Sequence, residues 1–231
     1  MVALPKALDF GEVVSIDLKP LASLTGNEKE DRQTVYCVDE FLRFTSAGIA
    51  KSKQAEDVMK VLLKVWCFRY GYPTKAFLAD NGTEFSNKEV AALVKRIDIK
   101  LKLGPSYSPW SNGCCERRHS SIDLTLRKLL EDDDKLFLEE ALDHSVWALN
   151  MEVGRNGDTP FKVMTGKTPG IPGISDGNEV TYTNLDNSEQ TKLHFERQRK
   201  ARLLFLQSDS DRRIKEALKS RTAPYRDRAY E

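Results

Sequence analysis

The chain opens with short apolar runs that alternate with longer amphipathic stretches. EVVSIDLK (12–19) is a compact, β-branched run closing near an aspartate and predicts a strand. A polar stretch with Thr25-Gly26-Asn27 follows as a turn or loop. TVYCVDEF (34–41) and LRFTSAGIA (42–50) predict two more strands in hairpin relation. From Ser52 the period changes: Ala55, Val58, Met59, Leu62 and Trp66 share one face of a helix that Gly71 and Pro73 terminate. KAFLAD (75–80) is again short, apolar and aspartate-terminated, so it predicts a buried strand. Ser86 to Glu89 has capping-box spacing and predicts a helix over Asn87–Ile97. IKLKL (99–103) alternates as a strand.

Gly104 to Gly113 is rich in Gly, Pro, Ser and Asn and predicts a mobile loop. A helix is expected from Cys114 to Leu130, a break at EDDDK (131–135), and a second amphipathic helix over Phe137–Met151. Beyond the Gly- and Pro-bearing loops at 154–160 and 168–177, a charged segment predicts a helix over Ser188–Leu218, read as an appendage to the core. An antiparallel meander that passes into βαβ units gives an α/β fold, a mixed five-stranded sheet flanked by helices with a helical C-terminal extension. The expected divisions are a linker (1–10), a core (11–153), a loop-rich extension (154–187) and a basic helical extension (188–231).

Composition changes this picture little. With 40% hydrophobic residues, the chain can build a core, which argues against wholesale disorder. Net charge is +1, so bulk charge does not announce a nucleic-acid binder. Its distribution is uneven: residues 188–231 hold 12 Lys/Arg against 7 Asp/Glu, which leaves the front of the chain slightly acidic. That basic segment reads equally as a solvated face or as a surface for phosphate or a partner subunit. The four cysteines (Cys37, Cys67, Cys114, Cys115) form no C-x-x-C pair and fit a reducing compartment. No apolar run reaches membrane-span length, and no signal peptide is expected at the start.

The chemistry lies in three carboxylates. Asp17 and Asp80 sit at the carboxyl ends of predicted strands, where α/β sheets gather functional groups. Glu116 is expected in the first turn of the helix after the Pro/Ser loop. Three hard oxygen donors in one cleft suit Mg²⁺ or Mn²⁺, and a pair of such ions can clamp a phosphodiester. Each acid also has a plainer reading. Asp17 alone could be a turn former, Asp80-Asn81-Gly82 a tight turn, and Glu116 a surface helix residue. Their joint order and spacing favour the metal site.

Three motifs carry a family resemblance. SIDL (15–18), ADNGTEF (79–85) and GPSYSPWSNGCCERRH (104–119) resemble the three signatures of retroviral and LTR-retrotransposon integrase catalytic cores, and 35 residues separate Asp80 from Glu116, as in that family's pattern. GDTPFKVMTGKTP (157–169) resembles the segment after the catalytic fold in retrotransposon integrases. The resemblance covers roughly residues 10–170. It implies a ribonuclease H-like fold that processes the 3′ ends of an element's DNA and joins them to target DNA. The implied ligands are Asp17, Asp80 and Glu116, holding two Mg²⁺ or Mn²⁺ ions, with Asp17 as the bridging ligand.

The resemblance further implies DNA contacts. Asn81 and Gly82 would lie beside target DNA. Tyr107, Trp110, Ser111, Asn112, Arg117, His119, Ser120 and Asp123 would face the donor end. Ser120 and Asp123 stand where retroviral relatives carry lysines, and Trp110 where a glutamine is usual. Implied partners are element-end and target DNA and further copies of the chain, with the 114–130 and 136–151 helices as the expected interface. The implied workplace is the nucleus, with no membrane. No His-His-Cys-Cys zinc set is present, and a small DNA-binding barrel is expected to begin about where the chain stops. Cys114, Cys115 and His119 are better read as packing and DNA-facing residues than as a zinc site. A transposase of the bacterial insertion-sequence type shares this chemistry. A domesticated, non-catalytic binding protein is the alternative of a different class, and the full set of carboxylates speaks against it.

Overall fold

The computed structural model describes residues 7–22, 30–79, 101–103, 109–154, 157–167 and 189–221. Five strands form one mixed sheet: β1 (Val13–Pro20), β2 (Gln33–Asp39), β3 (Thr45–Ala50), β4 (Ala76–Ala79) and β5 (Leu101–Leu103), in the order β3-β2-β1-β4-β5. β1, β2 and β3 pair antiparallel, while β4 joins β1, and β5 joins β4, in parallel. Meander and parallel units thus follow the predicted order. The β2–β3 turn is tied by Asp39, whose carboxylate accepts from the backbone N–H groups of Gly11, Phe41 and Leu42 at 2.9, 3.1 and 2.6 Å. Burial raises its pKa, and these three donors work against that shift. Strands end earlier than predicted here because Glu40 to Phe44 are spent on the turn, with Arg43 at φ 64°.

The two faces of the sheet bury different partners, as the period-2 alternation requires. Val14, Ile16, Val35 and Cys37 pack on one face against α1 (Ala55–Leu62), the π-helical turn Leu63–Cys67 and α2 (Phe68–Tyr70), with Trp66 fully buried among them. The apolar period correctly marks this stretch as helical to Gly71, but it does not reveal the π turn. A π turn opens the ladder of i→i−4 bonds, and the Val65 carbonyl inside it accepts from Ser46 Oγ at 2.8 Å. Strand and helix meet closely at Gly48, where an added Cβ would lie 2.7 Å from Val65 Cγ1 and 2.9 Å from Val61 Cγ1. Gly48→Ala is expected to overpack this seam and to cost about 1–3 kcal/mol in denaturant unfolding.

Tyr36 and Ala47 point to the opposite face, against α3 (Pro109–Asp132), α4 (Leu138–Asn150) and α6 (Glu189–Arg221); α5 (Pro160–Thr165) is a short helix capped by Thr159. α4 is fastened to edge strand β3 by Asn150. Its Oδ1 accepts from Thr45 N at 2.8 Å and its Nδ2 donates to Thr45 O at 2.7 Å, so one amide side chain completes a buried strand edge. Asn150→Ala strands both backbone groups and is expected to lower unfolding free energy by about 1–3 kcal/mol, measured by urea titration.

Two expectations are corrected on this face. α3 begins at Pro109 and not at Cys114, since proline is well placed in the first turn, where its missing N–H costs nothing. Glu116 is therefore about two turns into the helix and not in its first turn. α6 is not an appendage: Ala201 and Phe205 are 0% and 1% exposed and belong to the same core as Ile122, Leu126 and Leu149. Three of its basic side chains are spent on other elements of the chain. Arg197 bonds Asp133 and Glu140, Lys200 pairs with Asp132, and buried Arg202 donates to the Ala148 carbonyl. The acidic break between α3 and α4 thus anchors α6, with Arg197 holding the Asp133 carboxyl below its usual range. Part of the α3 and α4 surface expected to form an intersubunit interface is covered by α6. The predicted helix over Asn87–Ile97 lies outside the described residues. No helix among the described residues is long and apolar enough to cross a membrane.

Candidate active site

Asp17 owes its direction to strand register. In β1 it pairs with Tyr36 of β2, so both side chains emerge on the face covered by α3. Two residues along a strand advance about 6.6 Å, and four residues along a helix advance about 6 Å, so two contacts repeat in step. Asp17 meets His119, and Lys19 meets Asp123, four residues further along α3. Asp17 Oδ2 lies 2.7 Å from His119 Nδ1, and Oδ1 accepts from Leu18 N at 2.9 Å. The imidazole has no exposed surface and stacks on the Tyr36 ring, with centroids 4.2 Å apart and an interplanar angle of 24°. The Tyr36 hydroxyl donates to Asp123 Oδ1 at 2.7 Å, and Lys19 Nζ donates to Asp123 Oδ2 at 3.0 Å. Burial and the Asp123 carboxylate raise the Tyr36 pKa well above the ordinary phenol value, so the hydroxyl remains a donor.

This arrangement leaves the Asp17 carboxylate part exposed, at 31% of its side-chain surface, while its flank is fixed by a buried ring. The parallel register of β1 with β4 aligns Ile16 with Ala79, and Asp80 is the next residue in sequence after Ala79. Glu116 is on α3, one turn before His119. The strand that ends just before Asp80 and the helix that bears Glu116 thus both neighbour β1.

Asp80, Asn81, Gly82 and Tyr107 themselves lie outside the described residues. Trp110, Ser111, Asn112, Glu116 and Arg117 are placed on α3, with their side chains outside the description. Ser120 is exposed on α3. Two predicted DNA contacts are placed differently. His119 is wholly buried against Asp17 and Tyr36 and has no surface to offer a duplex. Asp123 is engaged by Tyr36 and Lys19 and serves to lock β1 and β2 to α3. Tyr36 and Lys19 were not singled out in the sequence. Tyr36 looks like one more strand aromatic until the register sets it opposite Asp17.

The mixed five-stranded sheet flanked by helices is a ribonuclease H-like fold, with the part-exposed carboxylate of Asp17 on its middle strand. Residues 11–109 match the integrase core domain family. The chain is 26% identical over 164 residues to the retrovirus-related Pol polyprotein from transposon 412 of Drosophila melanogaster, covering 71% of this chain and 13% of that protein. It is 32% identical over 135 residues to the Gag-Pol polyprotein of gibbon ape leukemia virus, covering 58% of this chain and 8% of that protein. The chain therefore spans only a small part of these relatives. Among solved structures, the HTLV-2 integrase catalytic core domain in complex with magnesium aligns over 68% of this chain and 99% of its own, with TM-score 0.58 and 22% identity. The simian T-cell lymphotropic virus intasome in complex with the PP2A regulatory subunit B56 gamma aligns over 78% of this chain and 62% of its own, with TM-score 0.62 and 21% identity. Residues 11–109 are thus similar to the integrase core domain family, and the relatives matched over a longer stretch are retroviral and retrotransposon polyproteins.

Proposed function

We propose that this chain is the catalytic part of an integrase that processes the 3′ ends of an element's DNA and joins them to a target duplex. The observation that carries the reading is the presentation of Asp17. A part-exposed carboxylate on the central strand stands beside the strand leading to Asp80, both strands within the segment similar to the integrase core domain family, and against the helix bearing Glu116. Three carboxylates are the donor set that Mg²⁺ or Mn²⁺ favours, and the magnesium-bound HTLV-2 core is a structural relative. Bound there as a pair, the ions would supply activation of the attacking oxygen and stabilisation of the leaving one.

The remaining work falls to the chain's own residues. Asp17, Asp80 and Glu116 would hold the ions. His119, buried and stacked, limits the rotation of the Asp17 carboxylate. Asn81 and Gly82 would approach target DNA. Tyr107, Trp110, Ser111, Asn112, Arg117 and Ser120 would approach the donor end, where Trp110 can stack on a base. End processing hydrolyses one phosphodiester, joining exchanges one phosphodiester for another, and neither step needs a nucleoside triphosphate. Assembly with further copies of the chain and action in the nucleus complete the proposal, with dimeric and trimeric forms of the HTLV-2 core as precedent for self-association.

The test is strand joining on labelled oligonucleotides that carry the element's own ends. Joined product is expected with Mn²⁺ or Mg²⁺, none with EDTA, and none for Asp80→Asn with a native circular-dichroism spectrum. Joining by the asparagine variant would overturn the assignment.

A further inference from the structure

Away from the carboxylate centre, α4 and α6 bring together Glu140, His144 and His194. Glu140 and His144 are four residues apart, on one face of α4, and His194 reaches them from the first turns of α6. Glu140 Oε1 lies 3.5 Å from His144 Nε2 and 3.8 Å from His194 Nδ1, and the three ligand atoms all fall within 4.8 Å of one another. Ligands at about 2.0–2.1 Å in a tetrahedron around Zn²⁺ are separated by about 3.4 Å. Two of the three edges are thus within a few tenths of an ångström of that value, and His194, half exposed, has room to close the third.

A second observation points to a ligand. His144 is 2% exposed, and at 3.5 Å from Glu140 Oε1 its Nε2 makes no hydrogen bond of good geometry among the described residues. An unsatisfied buried nitrogen is costly, and a metal ion satisfies it. The three side chains also line one open cleft of about 320 Å³, walled further by Thr45, Asp143 and Trp147, which leaves a fourth coordination position accessible. The surroundings support the donor set. Burial and the facing His194 lower the His144 pKa, favouring the neutral imidazole that ligates. Arg197 orients Glu140 through both carboxylate oxygens at 3.0 Å, and its own charge is met by Asp133 at 2.9 Å. A partner that fixes a ligand from behind is usual for metal carboxylates.

We propose that Glu140, His144 and His194 form a Zn²⁺ site that staples α6 to α4. It is separate in residues and in donor chemistry from the proposed nucleic-acid-joining centre, so either assignment can fail without the other.

The experiment uses the full chain freed of metal by chelation, with Mg²⁺ in excess, titrated with Zn²⁺ by calorimetry and with Co²⁺ by absorption. One equivalent is expected to bind, with Co²⁺ showing the visible bands of tetrahedral coordination and no intense thiolate charge-transfer band. Loss of an outer partner alone weakens metal sites about 10–100-fold, so His194→Ala, at an exposed position, should weaken Zn²⁺ binding at least tenfold. Its apo melting temperature should stay near that of the unaltered chain while the zinc-induced rise disappears. Asp17→Asn should bind Zn²⁺ unchanged. Equal binding by His194→Ala, loss of binding in Asp17→Asn, or a thiolate band pointing to the cysteines would each overturn the proposal.

Discussion

Asp17→Asn is expected to reduce DNA joining to background while the protein remains folded. The exchange keeps the size of the side chain and removes its charge. The Leu18 N–H can still be accepted by the asparagine oxygen, and the Tyr36–His119 stack and the Tyr36–Asp123–Lys19 bonds do not depend on Asp17 being ionised. Packing around β1 comes from Val14 and Ile16, which are untouched. A divalent cation, however, favours hard, negatively charged oxygens, and a neutral amide on the central strand removes one of the three proposed donors. Joining on oligonucleotides, read beside a thermal melt, separates the two effects. A variant that melts like the parent but joins nothing is the expected outcome, and one that joins at the parental rate would remove Asp17 from the site. His119→Ala should give a smaller loss of joining, because it frees the carboxylate to rotate without removing it. It should also lower stability, because it leaves a hole beside the Tyr36 ring.

The second large effect is on stability. Phe205→Ala is expected to cost about 3–5 kcal/mol, enough to remove much of the about 5–15 kcal/mol available to a typical domain. Phe205 is 1% exposed and belongs to the core made by Tyr36, Ile122, Leu126 and Leu149, although it lies in the segment furthest along the chain among the described residues. Its neighbour Leu206 is 45% exposed on the outer face of α6, and Leu206→Ala should stay within about 0.5 kcal/mol. Urea unfolding of the pair distinguishes a core helix from an appended one, since similar small losses for both would mean that α6 contributes little. A chain ending before Glu189 should lose cooperative unfolding, because it uncovers the apolar faces of α3 and α4.

The sequence alone was enough to identify the sheet strands and their order along the chain, and to single out three carboxylates as a candidate site. Short apolar runs carry their own period, and the acids stand at spacings that local chemistry makes conspicuous. Helix termini were less legible. Pro109 to Gly113 reads as loop on composition, because Ser, Asn and Gly compete for the backbone in an isolated peptide. In the fold, α3 nevertheless begins at Pro109. The π turn at Leu63–Cys67 has no sequence signature, since it accommodates the contact with β3.

The tertiary structure alone decided what the polar residues do. His119, Asp123, Arg197 and the acidic break could each have faced solvent or DNA on composition. Strand register placed Tyr36 opposite Asp17 and so buried His119, and the docking of α6 turned a basic, exposed-looking segment into the partner of Asp133 and Glu140. Charge and periodicity are local properties of a chain. Burial and pairing are properties of residues distant in sequence, which is why the carboxylates were visible from the start and the side chains that steady Asp17 were not.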